Sequence, residues 1–196
     1  MRIRVACENA IEGVGTLNYD KNHRKADDSA KEAEIGQMRS IIGSLGWIAR
    51  QCHPEISYGV SKMQGVVSKA KVKDLKEANQ VLDTAREYKS DGLIFRSDAI
   101  SWTDAIVVTV SDASFAQETF IEHDGNEKPH RTQKAYMILL CHPDILDNDN
   151  AGCHIWAWRS LTDKRVCRAT LQGEAHGMLS GTEMGDRLRA IGRSQI

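Results

Sequence analysis

The stretch Ala105-Ile106-Val107-Val108-Thr109-Val110-Ser111-Asp112 is an apolar, β-branched run that ends in an acidic residue. Such a run predicts a buried strand, with Asp112 delivered at its carboxyl end. Open α/β sheets place their chemistry at the carboxyl ends of their strands. We therefore expect a central strand at 105–110 and a candidate functional carboxylate at its end.

Two more strand-like runs and a helix follow this stretch. Residues 135–140 and 155–158 are apolar, and a polar loop precedes each of them, so both are expected to be antiparallel neighbours of the central strand. From about Thr170 to Ala190 apolar residues recur at helical spacing without a proline. This pattern predicts a final helix packed on the sheet.

The half of the chain before residue 91 has a different character. Residues 1–32 are polar and rich in turn-forming residues, which predicts an extended arm. Residues 33–90 carry three apolar stripes at helical spacing, and Pro54 separates the first from the second. The predicted fold class is α/β (α+β): a mixed sheet with a packed helix over 91–196, preceded by a small helical lobe.

Charge is balanced over the whole chain but segregated along it. The sequence has 26 basic and 27 acidic residues among 196, so any nucleic acid must be bound by a local patch. Residues 159–196 contain seven basic and four acidic residues, whereas 104–150 contain nine acidic and three basic. A surface that follows a phosphate backbone beside a metal site needs such segregation. Arg159 and Lys164 are the candidates for phosphate contact.

The sequence shows no membrane or secretory feature. No run approaches the 18 or so apolar residues of a membrane span, and the first residues are charged. We therefore expect a soluble, intracellular protein with no membrane partner. Its five cysteines are an odd number and are expected to be reduced.

Two Cys-His pairs offer an alternative metal site. Cys141-His142 and Cys153-His154 could together supply four zinc ligands to an interaction domain. Adjacent residues on a strand point to opposite faces, however, which favours buried cysteines beside exposed histidines.

Asp112 and Glu174 form the most informative acidic pair. A strand end and the start of a neighbouring helix can bring two carboxylates together around a divalent cation, which neutralises their repulsion. The alternative is a solvated strand end and a glutamate that is favoured by the helix dipole. A chain with 27 acidic residues offers such pairs by chance, so the surrounding motifs decide between the two interpretations.

Five short motifs occur in a fixed order between residues 35 and 191. They read MRSIIGSL at 38–45, HPEISY at 53–58, SDASFA at 111–116, IWAWRS at 155–160 and GEAH at 173–176. In this order the chain resembles the C-terminal part of the Pol polyprotein of copia-type LTR retrotransposons, where the reverse transcriptase connection region precedes a ribonuclease H domain.

The resemblance implies a function and a site. Asp112 and Glu174 would be catalytic carboxylates that bind Mg²⁺ (or Mn²⁺), and Arg159, Ser160 and Lys164 would contact nucleic acid. The implied reaction is hydrolysis of the RNA strand of RNA–DNA hybrids during reverse transcription. The implied partners are the hybrid and the upstream palm and fingers of the same polyprotein, in the cytoplasm, a virus-like particle or the nucleus.

The sequence departs from the family pattern at several positions. The third catalytic aspartate of the family is expected beyond Ile196, while Ser114 and His176 stand where the family has acidic residues. We therefore expect the chain alone to have weak ribonuclease H activity or none. A catalytically decayed module that only binds nucleic acid or protein stays the alternative. His176 projects about 200° around the helix from Glu174, which favours a structural or solvent-facing role.

Overall fold

The computed structural model describes residues 1–20, 23–121, 127–148, 150–163 and 165–193. The chain divides into two compact units. The helical unit consists of residues 6–92 and 117–131, and the sheet unit consists of residues 1–5, 93–116 and 132–196. Mixed α and β structure, as predicted, is confirmed.

The helical unit is built on the three helices that the apolar stripes predict. After a short α1 (Glu8–Glu12) come α2 (Glu32–Gln51), α3 (Ser57–Val66) and α4 (Val72–Glu87). Pro54 begins a short 3-10 turn that leads into α3, a position that needs no backbone N–H donor. The predicted apolar faces form the core, with full burial of Met38, Leu45, Met63, Leu75 and Leu82.

The segment before α2 differs from the extended arm expected over 1–32. Ile11 and Leu17 are buried in the core of the helical unit. The Asn79 amide donates to the Leu17 carbonyl at 3.0 Å and accepts from the Leu17 N–H at 2.9 Å. The segment is therefore packed against α4, although its apolar residues follow no helical or strand period.

A two-stranded sheet joins the first residues of the chain to the start of its second half. Strand β1 (Arg2–Val5) pairs antiparallel with β2 (Leu93–Arg96), with Arg2 opposite Arg96. The apolar run at 93–95 predicts the second of these strands. Its partner, β1, lies in the segment that was expected to be an extended arm.

The larger sheet has the order β3-β4-β5, with β3 at Ile106–Ile121, β4 at Glu127–Cys141 and β5 at Cys153–Thr162. Strands β4 and β5 pair antiparallel from Gln133 opposite Thr162 to Cys141 opposite Cys153, with an irregularity at Ile138/Leu139.

Three expectations about this sheet are wrong. The run 105–110 is not central, because among the described strands β3 has a partner only in β4. The sheet is antiparallel instead of mixed. Nor is the run buried, as was expected: residues 105–108 are half-buried, and Thr109 and Val110 are exposed. An apolar run does not by itself report how many strands lie beside it or how deeply it is buried.

Helix α5 (Thr170–Arg193) packs on one face of the larger sheet, as predicted. Glycines recur every four residues on its sheet-facing side, so the helix approaches the strands without intervening side chains. A Cβ atom on these residues would lie within 4 Å of side chains or backbone of β3 and β4: Gly173, Gly177, Gly181 and Gly185.

The cysteines are free, and three of the five are buried: Cys52, Cys141 and Cys167. The Sγ atoms of Cys7 and Cys52 lie 2.9 Å apart. Burial and this contact raise the pKa of Cys52 to about 12. No helix in the described part of the chain is long and apolar enough to cross a membrane.

Candidate functional site

Asp112 lies in β3, where its two neighbours face α5. A Cβ on Gly181 would lie 3.7 Å from the Cβ of Ser111, and one on Gly173 would lie 3.8 Å from the Cβ of Ala113. Because successive side chains of a strand alternate between faces, the Asp112 carboxylate is directed to the face away from α5. Asp112 is exposed.

Glu174 is half-buried near the start of α5, between two glycines that contact the sheet. A Cβ on one of them, Gly177, would lie 3.4 Å from the carbonyl oxygen of Asp112. The structure thus brings the backbone of Asp112 to the first turns of α5 but directs its carboxylate elsewhere. A cation shared by Asp112 and Glu174 stays a prediction.

The three residues expected to contact nucleic acid do not form one surface. Arg159 is exposed and pairs with Tyr136 across β4 and β5. It borders a cavity of about 180 Å³ on the α5 side, together with Glu183 and Arg187. Ser160 alternates to the other face, where its Oγ accepts from the Nε2 of Gln133 at 2.8 Å. Lys164 lies outside the described residues.

A second cluster lies where β5 ends and α5 begins. The His176 Nδ1 is 2.7 Å from the Asp163 Oδ2 and 3.7 Å from the Cys167 Sγ. Asp163 and Cys167 are buried, and His176 is mostly buried. One ligand atom from each of the three lies within 4.8 Å of the other two, so the cluster could hold a metal ion.

Several contacts stabilise the charged form of Asp163. Burial opposes ionisation, but the Arg165 backbone N–H donates to its Oδ1 at 3.0 Å and His176 contacts its Oδ2. The Lys134 ammonium lies 3.5 Å from the same Oδ2. Together these contacts outweigh burial and hold the pKa of Asp163 below its ordinary value. Asp163 is therefore an anion at neutral pH.

This cluster was not predicted from the sequence, because its three ligands do not lie in adjacent Cys-His pairs. Cys141 and Cys153 do face each other across β4 and β5, but the Nε2 of His154 lies 3.1 Å from the Arg96 carbonyl oxygen. In the part of the chain that the structure describes, the Cys-His pairs form no metal-binding group. The signal that could have revealed the cluster is the spacing Asp163-x₃-Cys167-x₈-His176 from a strand end to a helix start.

A larger cavity of about 450 Å³ lies beside the start of β3 and the last turns of α5. Trp102 and Trp156 line it and contact each other edge to face, with ring centroids 5.9 Å apart. Arg189 is a basic residue that lines the same cavity. Trp156 is half-buried.

The sheet unit therefore carries two candidate centres, one at Asp112 and Glu174 and one at Asp163, Cys167 and His176. The first was expected from the sequence, and the second comes from the structure. Comparison with family models, with curated proteins and with solved structures found no match to this chain.

Proposed function

We propose that residues 91–196 form a ribonuclease H-like domain of a copia-type Pol polyprotein, which hydrolyses the RNA strand of RNA–DNA hybrids. One observation carries the proposal: three strands in the order β3-β4-β5 are followed directly by α5, with Asp112 on the first strand and Glu174 near the start of the helix. Three of the five motifs that resemble the family lie on these same elements: SDASFA on β3, IWAWRS on β5 and GEAH on α5.

The chemistry of the two carboxylates supports this proposal. Carboxylate oxygens are ligands for Mg²⁺ or Mn²⁺, and Asp112 is exposed while Glu174 is partly so. A bound divalent ion would activate water for attack on phosphorus and stabilise the leaving oxygen. The outer edge of β3 is where a further strand, carrying the third carboxylate of the family, would pair.

Basic side chains on the α5 side would hold the hybrid. Arg159 and Arg187 border the same cavity, and no salt bridge involves Arg159 within the described residues. Guanidinium groups bind phosphate oxygens through paired hydrogen bonds. In the same proposal residues 33–90, which lie within the helical unit, are the connection to the palm and fingers of the reverse transcriptase.

The direction of Asp112 favours a second candidate. Because its carboxylate is directed to the face away from α5, Asp112 cannot share a cation with Glu174 in the space between sheet and helix. Ser114 and His176 also remove two acidic residues of the family pattern. The second candidate is a decayed module of the same fold that binds hybrids without cutting them.

Cleavage and binding assays on one substrate separate these candidates. Labelled RNA in an RNA–DNA duplex is incubated with the 196-residue chain, and with the chain extended by the downstream segment of its gene, in Mg²⁺ or Mn²⁺. We expect weak or no release for the 196-residue chain and metal-dependent release for the extended chain. Asp112→Asn and Glu174→Gln should each abolish release, because they keep shape and remove a metal-binding charge.

Asp186→Asn is the matched control, because Asp186 is an exposed carboxylate on the same helix that pairs with Arg189. It should leave release unchanged. Release that survives Asp112→Asn would place the activity in other carboxylates. Hybrid binding that weakens with Arg159→Ala, without release by any form of the chain, would establish the decayed module instead.

A further inference from the structure

We propose that Asp163, Cys167 and His176 form a zinc site with one water as the fourth ligand. The proposal is independent of ribonuclease H activity and of the Mg²⁺ expected at Asp112 and Glu174. Three different ligand types converge on one buried point. They come from the end of β5, the following loop and the second turn of α5.

The sulfur–nitrogen distance fits tetrahedral zinc, and the nitrogen–oxygen distance of 2.7 Å requires a small movement of Asp163. Zinc binds cysteine sulfur at about 2.3 Å, histidine nitrogen at about 2.0–2.1 Å and carboxylate oxygen at about 2.0–2.2 Å. A tetrahedron with these bonds places sulfur about 3.6 Å from nitrogen, and nitrogen about 3.4 Å from oxygen. The Cys167 Sγ is 3.7 Å from the His176 Nδ1, and the Asp163 Oδ2 has to move outward by under about 1 Å.

The ligand set selects zinc over magnesium. A thiolate and an imidazole are soft to intermediate ligands, which suit Zn²⁺ or Co²⁺, whereas Mg²⁺ prefers oxygen ligands and keeps several waters. Binding would release the thiol proton of Cys167, because only the thiolate is a ligand. It would also require the neutral His176 tautomer with its proton on Nε2.

One neighbour competes with the metal. The Lys134 ammonium lies 3.5 Å from the Asp163 Oδ2 and donates to the Ser180 Oγ at 3.0 Å. It now balances the charge of the aspartate that the metal would use. Zinc binding therefore has to displace this ammonium, which predicts that Lys134→Met strengthens the site. A purely structural Asp–His–Lys network predicts no such gain.

The test is titration of the metal-stripped chain with Co²⁺, followed by ligand-field absorption, and then competition with Zn²⁺. We expect one equivalent bound, a thiolate-to-cobalt band, proton release, and a higher Tm with Zn²⁺ but not with Mg²⁺. Cys167→Ser and His176→Ala should each weaken binding at least about 100-fold, more than the loss of an outer hydrogen-bonding partner costs. Lys134→Met should bind Zn²⁺ more tightly than the unmodified chain.

Cys153→Ser is the matched control, because Cys153 is an exposed cysteine of the same unit outside the cluster. It should leave the cobalt band unchanged. Loss of the band with Cys153→Ser but not with Cys167→Ser would place the metal at the Cys-His pairs and overturn the proposal. Absence of stoichiometric binding by the unmodified chain and by Lys134→Met, both folded by circular dichroism, would overturn it as well.

Discussion

The Cγ2 atom of Thr109 lies 2.8 Å from the position that a Cβ atom would occupy on Gly181. That distance is shorter than real Cβ contacts allow, and the Cβ of Tyr136 lies 3.3 Å from the same position. Helix α5 can therefore rest on β3 and β4 at its observed distance only if residue 181 has no side chain.

Gly181→Ala should destabilise the sheet unit by about 1–3 kcal/mol, because the helix must move away from the strands to admit the methyl group. The free energy of unfolding in urea, followed by tryptophan fluorescence, measures this loss. Three of the four tryptophans, Trp102, Trp156 and Trp158, report on the sheet unit.

Gly43→Ala provides the opposite control. Gly43 lies inside α2, and a Cβ there would meet nothing within 4 Å. Replacing it should stabilise the helical unit by up to about 1 kcal/mol, since glycine is unfavourable in a helix interior. A Gly181→Ala chain as stable as the unmodified one would show that α5 packs less closely than its glycines indicate.

The Asn79 side chain should be essential for the packing of the segment before α2. Its amide satisfies both the N–H and the carbonyl of Leu17. Asn79→Ala leaves two partly buried backbone groups without these partners and should cost about 1–3 kcal/mol in the free energy of unfolding. Limited proteolysis near residue 17 should accelerate in parallel. Gln80→Ala, at the next, exposed position of α4, should change neither measurement.

The sequence predicts the helices well, because stripes at 3.6-residue spacing report directly which side chains are buried. It predicts less about features that depend on distant partners. Nothing in the run 105–110 indicates whether it lies at the centre or the edge of a sheet. The apolar residues of 1–32 have no period, so their burial follows only from tertiary packing.

The two candidate centres also differ in how far the sequence predicts them. Asp112 and Glu174 could be chosen from the sequence, because motifs surround them. The cluster of Asp163, Cys167 and His176 depends on α5 folding back against the end of β5, and the spacing of the three residues does not by itself predict that contact. Strand alternation alone does not give the direction of Asp112, because it requires knowing which face of β3 the helix covers.

The Glu34 carboxylate should make the stability of the helical unit depend on pH in the acid range. Glu34 is 5% exposed, accepts the Lys31 backbone N–H at 2.7 Å and pairs with the Arg24 guanidinium at 2.7 Å. Burial works against its ionisation, but the hydrogen bonds from Lys31 and Arg24 outweigh it and hold the pKa of Glu34 below its ordinary 4.5.

Because the pKa is lower in the folded state, ionised Glu34 stabilises the fold at pH values above the unfolded pKa. This contribution should be fully present at neutral pH and be lost as the pH falls below about 4.5 towards the folded value. Glu34→Gln should therefore lower the free energy of unfolding by about 1–3 kcal/mol at pH 7 and by much less at pH 3. Urea unfolding at both pH values, with the exposed first-turn Glu32→Gln as control, measures the difference. An equal loss for Glu34→Gln at both pH values would mean that the side chain acts through its shape and not through its charge.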